Sequence, residues 1–199
     1  MLHRNHIKIA GLLLFLTLGW SAMAQNAQSI KDVTMSVNGT SSLHDWTSAV
    51  TDVSGTASLE VADGKLTDIQ SLSLKIKVEG IESTKGRIMD GKTYKALESD
   101  DHPYITFKLA SAKITPKGDK IQVVATGPLT IAGSTKTVNI AATGAYKGNN
   151  IHFSGSKALK MTDFGIDPPT AMLGTLKTGD DITIDFSLVL DTAGNSSSR

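Results

Sequence analysis

The chain has 199 residues, with 20 Lys and Arg against 19 Asp and Glu, 40% apolar and 5% aromatic residues, and no cysteine. The missing thiol excludes a disulfide scaffold, a zinc–cysteine centre, an iron–sulfur cluster and a thiol nucleophile. A formal charge of +1 supplies none of the basic excess that phosphate backbones attract, so no nucleic acid is expected as a partner.

Residues 1–24 read as a cleaved signal peptide. Arg4 and Lys8 flank the start, Ile9 to Trp20 is an almost unbroken apolar run, and Ala22-Met23-Ala24 has the small-x-small form of a cleavage site. The run is shorter than the roughly 20 residues a spanning helix needs, and no later segment is apolar for long enough, so no stable membrane span is expected. Cleavage removes two bases and no acid, leaving a nearly neutral domain at 25–191 that is periplasmic or secreted. A chain of that length buries enough surface for a core without disulfides.

The exported part reads as strands almost throughout. Asp63-Gly64 joins a strand ending near Val61 to one beginning near Leu66, a dipeptide suited to a type I′ hairpin. From Leu72 to Glu79 apolar and polar residues alternate without an error, which puts the apolar side chains on one face. The alternation then stops, and residues 90–98 read as a short helix with Asp90 as its N-cap. It resumes at Ile105, Phe107 and Leu109, weakly at 120–131, at Val138, Ile140 and Ala142, weakly at 151–161, and strongly from Ile182 to Leu190.

Turn signals at Lys117-Gly118-Asp119, Gly133-Ser134 and Gly148-Asn149-Asn150 separate these runs. Thr162 to Gly179 is irregular and carries apolar residues, as binding loops do. The polar tail at 192–199 is expected to be disordered. About eight strands joined mostly by tight turns imply antiparallel neighbours in an up-and-down barrel or a sandwich.

Several pieces in order carry a resemblance. Gly39-Thr40-Ser41-Ser42-Leu43-His44-Asp45-Trp46, then Tyr94-Lys95-Ala96-Leu97 before His102-Pro103-Tyr104-Ile105-Thr106-Phe107, resemble the YceI-like family of exported proteins. Gly127-Pro128-Leu129-Thr130-Ile131-Ala132-Gly133 resembles that family's central hairpin, and Asp163-Phe164-Gly165-Ile166 its penultimate loop. The likeness implies an all-β, antiparallel, lipocalin-like β-barrel of about eight strands with a short helical insert. It also implies a polyisoprenoid lipid, a quinone or prenyl phosphate, held in an apolar interior, and members often pair into homodimers.

In such a barrel every second residue faces inward, so Ile76, Val78, Ile105, Phe107, Ile140, Phe153, Ile184 and Phe186 are the candidate bore. Met89, Tyr94, Leu97, Phe164 and Met172 are candidates to close its mouth, with Trp46 counted beside them. His102 would either hydrogen-bond a lipid head group or cap its segment. Arg87, Lys92 and Lys95 would make a basic mouth, or else an ordinary solvated surface.

Alternation alone favours a filled core, because ordinary small barrels are packed, and it is the resemblance that reverses this; a filled-barrel stress-response or interaction module without a lipid is the alternative reading. The low aromatic content favours a bore, because few rings are present to plug it. His44, His102 and His152, the histidines left after cleavage, lack ligand spacing, so neither a metal nor a cofactor beyond the lipid is expected. No hydrolase, phosphate-loop or dinucleotide motif is present, and Asp163 and Asp167, the acids of an imagined hydrolase, read more simply as turn formers. The protein is therefore read as a binding protein and not an enzyme.

Overall fold

The computed structural model describes residues 27–192, apart from the side chains of Ala171 and Met172. The leader at 1–24 and the tail at 193–199 lie outside the described residues. No helix of the described residues is long and apolar enough to cross a membrane.

Two segments, β1 (Gln28–Ser29) and β2 (Lys31–Ser41), are separated by Ile30 alone. They pair antiparallel with β4 (Val53–Ala62) and β3 (Trp46–Val50) in one register, with Gln28 opposite Ala57 and Gly39 opposite Trp46. The Ile30 N–H donates to Gly55 O at 3.0 Å, so the hairpin is continuous. Next come β5 (Lys65–Lys77) and β6 (Ile81–Ser83), which pair with β4 and β3 in turn. After the helix α1 (Arg87–Ala96), β7 (Tyr104–Lys108) pairs with β5, and both β7 and β8 (Ser111–Lys117) pair with β9 (Lys120–Ile131).

The sheet continues through β10 (Ser134–Lys147) and β11 (Asn150–Lys160) to the last long strand, β13 (Leu176–Asp191). A short β12 (Thr170–Ala171) pairs with the beginning of β13. The far side of β13 pairs with β2, so the sheet closes on itself. Taken as continuous strands, these segments make eight, each antiparallel to its chain neighbours, with the first joined to the last. Closure leaves no long free edge, and a ring of eight encloses an interior just wide enough for side chains or one slim ligand.

Local chemistry explains the turns. Asp63 and Gly64 both have positive φ, 51° and 71°, as a type I′ hairpin requires. The β9–β10 turn uses Ala132 and Gly133 at φ 46° and 71°, one residue earlier than Gly133-Ser134. The helix is also displaced from expectation. It begins at Arg87, and Gly86 with φ 81° is its N-cap. Asp90 instead accepts the Ser83 N–H at 2.7 Å and ties the helix to β6. Gly91, in open space within the helix, does not stop it.

Two further expectations need correction. The alternation from Leu72 to Glu79 ends in a 3-10 turn at Val78–Gly80, where the Val78 N–H donates to Pro103 O at 3.0 Å. The last strand begins at Leu176 rather than Ile182, and a register shift between Thr178 and Ile182 hides its start from a period-two reading.

Apolar faces meet in two clusters. One, toward the 62–65, 117–120 and 147–150 turns, contains Leu59, Leu66, Ile121 and Ile151, the last fully buried. The Tyr146 hydroxyl accepts the Leu66 N–H at 2.9 Å across that end. The other contains Phe107, Leu129, Ile131, Met161, Phe164 and Ile166 toward the helix end. Each fully buried side chain of this kind contributes about 1.5–3 kcal/mol.

Candidate functional site

The two clusters leave a cavity of about 420 Å³ running along the barrel. Its deep end is walled by Val123, Phe153, Leu188 and Leu190, and its outer end by residues 41–46, the helix and the 160–178 segment. That volume lies in the range of small-ligand sites, and nearly the whole wall is apolar.

Inward-facing alternation places the wall. Ile76 on β5, Ile105 and Phe107 on β7, Ile140 on β10, Phe153 on β11, and Ile184 and Phe186 on β13 all line it. Val78 does not. The 3-10 turn takes it out of strand phase, and it is buried away from the cavity.

Three wall aromatics share one construction, each facing a glycine directly across the sheet. Trp46 pairs with Gly39, Phe153 with Gly144 and Phe186 with Gly155. A Cβ at those glycines would approach the rings to 2.3, 2.8 and 2.6 Å. Each ring therefore lies along the wall in the space its glycine leaves, rather than across the bore. The Trp46 Nε1–H donates to Thr40 O at 3.0 Å and fixes the indole beside the mouth.

The helix presents Met89, Lys92, Thr93, Ala96 and the adjoining Leu97 to the cavity, the spacing of one helical face. Tyr94 lies off that face. Its hydroxyl donates to Glu79 O at 2.8 Å, and burial, then the carboxylates of Asp90, Glu82 and Glu79, raise its pKa. His102 is also outside the wall, because its ring packs over Gly133, with Nε2 3.8 Å from the Glu98 carboxylate. Of the expected basic mouth, only Lys92 lines the cavity; Arg87 and Lys95 do not. Phe164, the last residue of a 3-10 turn at Thr162–Phe164, is buried in the wall. The side chain of Met172 lies outside the described residues.

The mouth segment is held by charge and hydrogen bonds. Asp180 accepts the Thr162 N–H at 2.8 Å and its hydroxyl at 2.7 Å, which hold the carboxyl below the usual range. Lys160 donates to Asp181 at 2.8 Å, and that bond raises the lysine's pKa. Among the described residues no cluster of His, Cys, Asp or Glu could hold a metal ion.

Sequence reasoning missed wall residues on most strands, Val123, Ala125, Leu129 and Ile131 of β9 among them, and three strands hid theirs best. Met35 and Val37 show weak alternation in β2, Ser48 is polar, and Lys157 and Leu159 stand in a strand where Gly155 interrupts the pattern. Their signal was position: each stands two residues from another inward residue.

A family model described as a YceI-like domain matches residues 25–190. The chain belongs to the YceI-like family. Solved structures of other proteins reproduce the fold at low identity. BcnA of Burkholderia cenocepacia superposes with a TM-score of 0.63 at 21% identity, covering 79% of this chain and 96% of that one. A protein from Saccharophagus degradans, described as a polyisoprenoid binding domain implicated in plant cell wall breakdown, gives 0.63 at 14% identity, with 82% and 97% covered. The Campylobacter jejuni YCEI protein gives 0.54 at 17% identity, with 96% and 91% covered. A comparison with curated proteins returned no match.

Proposed function

We propose that this YceI-like protein is an exported carrier that binds a polyisoprenoid lipid, a quinone or a prenyl phosphate, with its chain in the barrel and no catalytic step. The observation that carries the reading is the cavity itself: about 420 Å³, almost wholly apolar, reached from the helix end of the barrel. An apolar chain moved from water into such a space gains about 25 cal/mol per Å² buried, so a long tail needs few polar contacts. The Saccharophagus degradans relative, described as a polyisoprenoid binding domain, supports this ligand class. The leader at 1–24 supports delivery outside the cytoplasm. A filled-barrel interaction module would have no such space.

The test is native mass spectrometry of the secreted protein purified without detergent, followed by solvent extraction and lipid identification. A one-to-one prenyl lipid is expected, on a chain beginning at Gln25. A bare mass that persists after incubation with quinones and prenyl phosphates would overturn the reading.

A further inference from the structure

One wall residue does not fit a purely apolar chain. Lys157 occupies an inward position of β11, between Gly155 and Leu159, and lines the cavity. It forms no ion pair or hydrogen bond among the described residues. No Asp or Glu of the described residues lines the cavity, whereas Lys85, Lys92, Lys157, Lys160 and Lys177 do. Of these, Lys160 is neutralised by Asp180 and Asp181. Of the others, Lys85 and Lys177 are exposed at the mouth, while Lys92 on the helix and Lys157 on the wall are half-buried, and Lys157 is the one on an inward strand position of the apolar bore.

A second polar group faces the same space. Ser48, only 3% exposed, lines the cavity between Trp46 and Val50, and its hydroxyl has no hydrogen-bond partner among the described residues. Register places the two groups at one level of the sheet: Lys157 is opposite Ile184, Ile184 opposite Val37, and Val37 opposite Ser48. Three strand spacings, about 14 Å of wall, separate them. A buried hydroxyl without a partner and a cation without a counter-charge both carry an energetic cost that an acceptor-rich anion placed between them would remove. A neutral quinone ring brings no counter-charge to Lys157.

We infer that the ligand carries an anionic oxygen head group, a phosphate or a carboxylate, held partway down the bore by Lys157 and Ser48. Below that level lie about 20 Å of β13, from Ile184 to Leu190, with Phe186, Leu188 and the facing Phe153 along it, which receive the tail. This inference rests on the lipid-binding reading above and selects among its ligands.

The experiment titrates the delipidated secreted protein with three probes that share one tail: geranylgeranyl phosphate, geranylgeranoate and geranylgeraniol. At least one anion is expected to bind tenfold or more tighter than the alcohol. Lys157→Met is expected to cut that ratio about tenfold and Ser48→Ala to cut it severalfold. An advantage for the phosphate alone assigns a phosphate head, and one for the carboxylate alone a fatty-acid-like head. Equal binding of all three by the unmodified protein, or a ratio unmoved by Lys157→Met, overturns the head-group inference and leaves the lipid reading standing. Binding of none overturns both. If Lys157→Met does not fold, Lys157→Gln takes its place, and the comparison in the unmodified protein remains decisive.

Discussion

The Phe186 ring occupies the space that a side chain at Gly155 would need, with a Cβ there only 2.6 Å from Phe186 Cζ. The two residues are direct partners on β11 and β13. The absent side chain lets the ring lie against the wall, and the same relation holds at Gly39 with Trp46 and at Gly144 with Phe153. Large side chains thus line the bore without filling it.

Gly155→Ala should therefore destabilise the protein by about 1–3 kcal/mol, the usual cost of overpacking. Its Cβ would also meet the Ala141 carbonyl at 2.4 Å, a backbone atom that cannot swing away. Gly91→Ala, in open space within the helix, should instead stabilise by about 0.5–1 kcal/mol. Urea unfolding of both variants checks the pair; destabilisation at Gly91 and none at Gly155 would contradict the packing.

Phe107→Asp should cost at least about 3 kcal/mol from the lost buried ring, before the cost of an unpaired buried charge. Phe186→Asp should abolish lipid retention, because it places a carboxylate in the tail region of the bore. Lys113→Asp, on an exposed outward position of β8, should do neither. Equal effects at inward and outward positions, read by thermal unfolding and lipid extraction, would refute the orientation of the strands.

Trp46 is the sole tryptophan among the described residues and lies in the cavity wall at the mouth. Saturable ligand entry should shift its emission, and Trp46→Phe should lose that signal. Gly39→Val, by displacing the indole from the space beside β2, should alter the emission of the ligand-free protein as well. A tryptophan spectrum unchanged by a ligand that native mass spectrometry shows bound would place the ligand away from the mouth.

The Asp180 clamp on Thr162 should be acid-sensitive. Its folded pKa lies below the ordinary 3.8, so its contribution is fully present above that value and lost as pH falls through the lower folded value. The protection of the Thr162 amide, its exchange rate relative to that of an unstructured amide at the same pH, should fall across that acid window. Asp180→Asn should remove the pH step in protection, and a Thr162 protection that does not change with pH in the unmodified protein would refute the clamp.

Much of this structure was legible in residue order. Leu72, Leu74 and Ile76, or Ile182 through Leu190, are inward because a strand turns every second side chain to one face, and Asp63-Gly64 fixes a hairpin because those residues tolerate positive φ. The same periodicity misled where the backbone left the strand. Val78 fell out of phase in its 3-10 turn, and Tyr94 was one helical position away from the inward face that carries Thr93.

Local chemistry by itself therefore determined the antiparallel strands, most of their turns and one set of the residues that face the bore. The tertiary structure alone decided that the ring closes between β2 and β13, that His102 packs over Gly133, and that the wall aromatics lie on glycines of neighbouring strands. It alone brought Lys157 and Ser48, more than a hundred residues apart, into one row across the strands that wall one cavity. Those relations depend on register between strands distant in sequence, and a period of two fixes which face a residue takes but not which residue it meets.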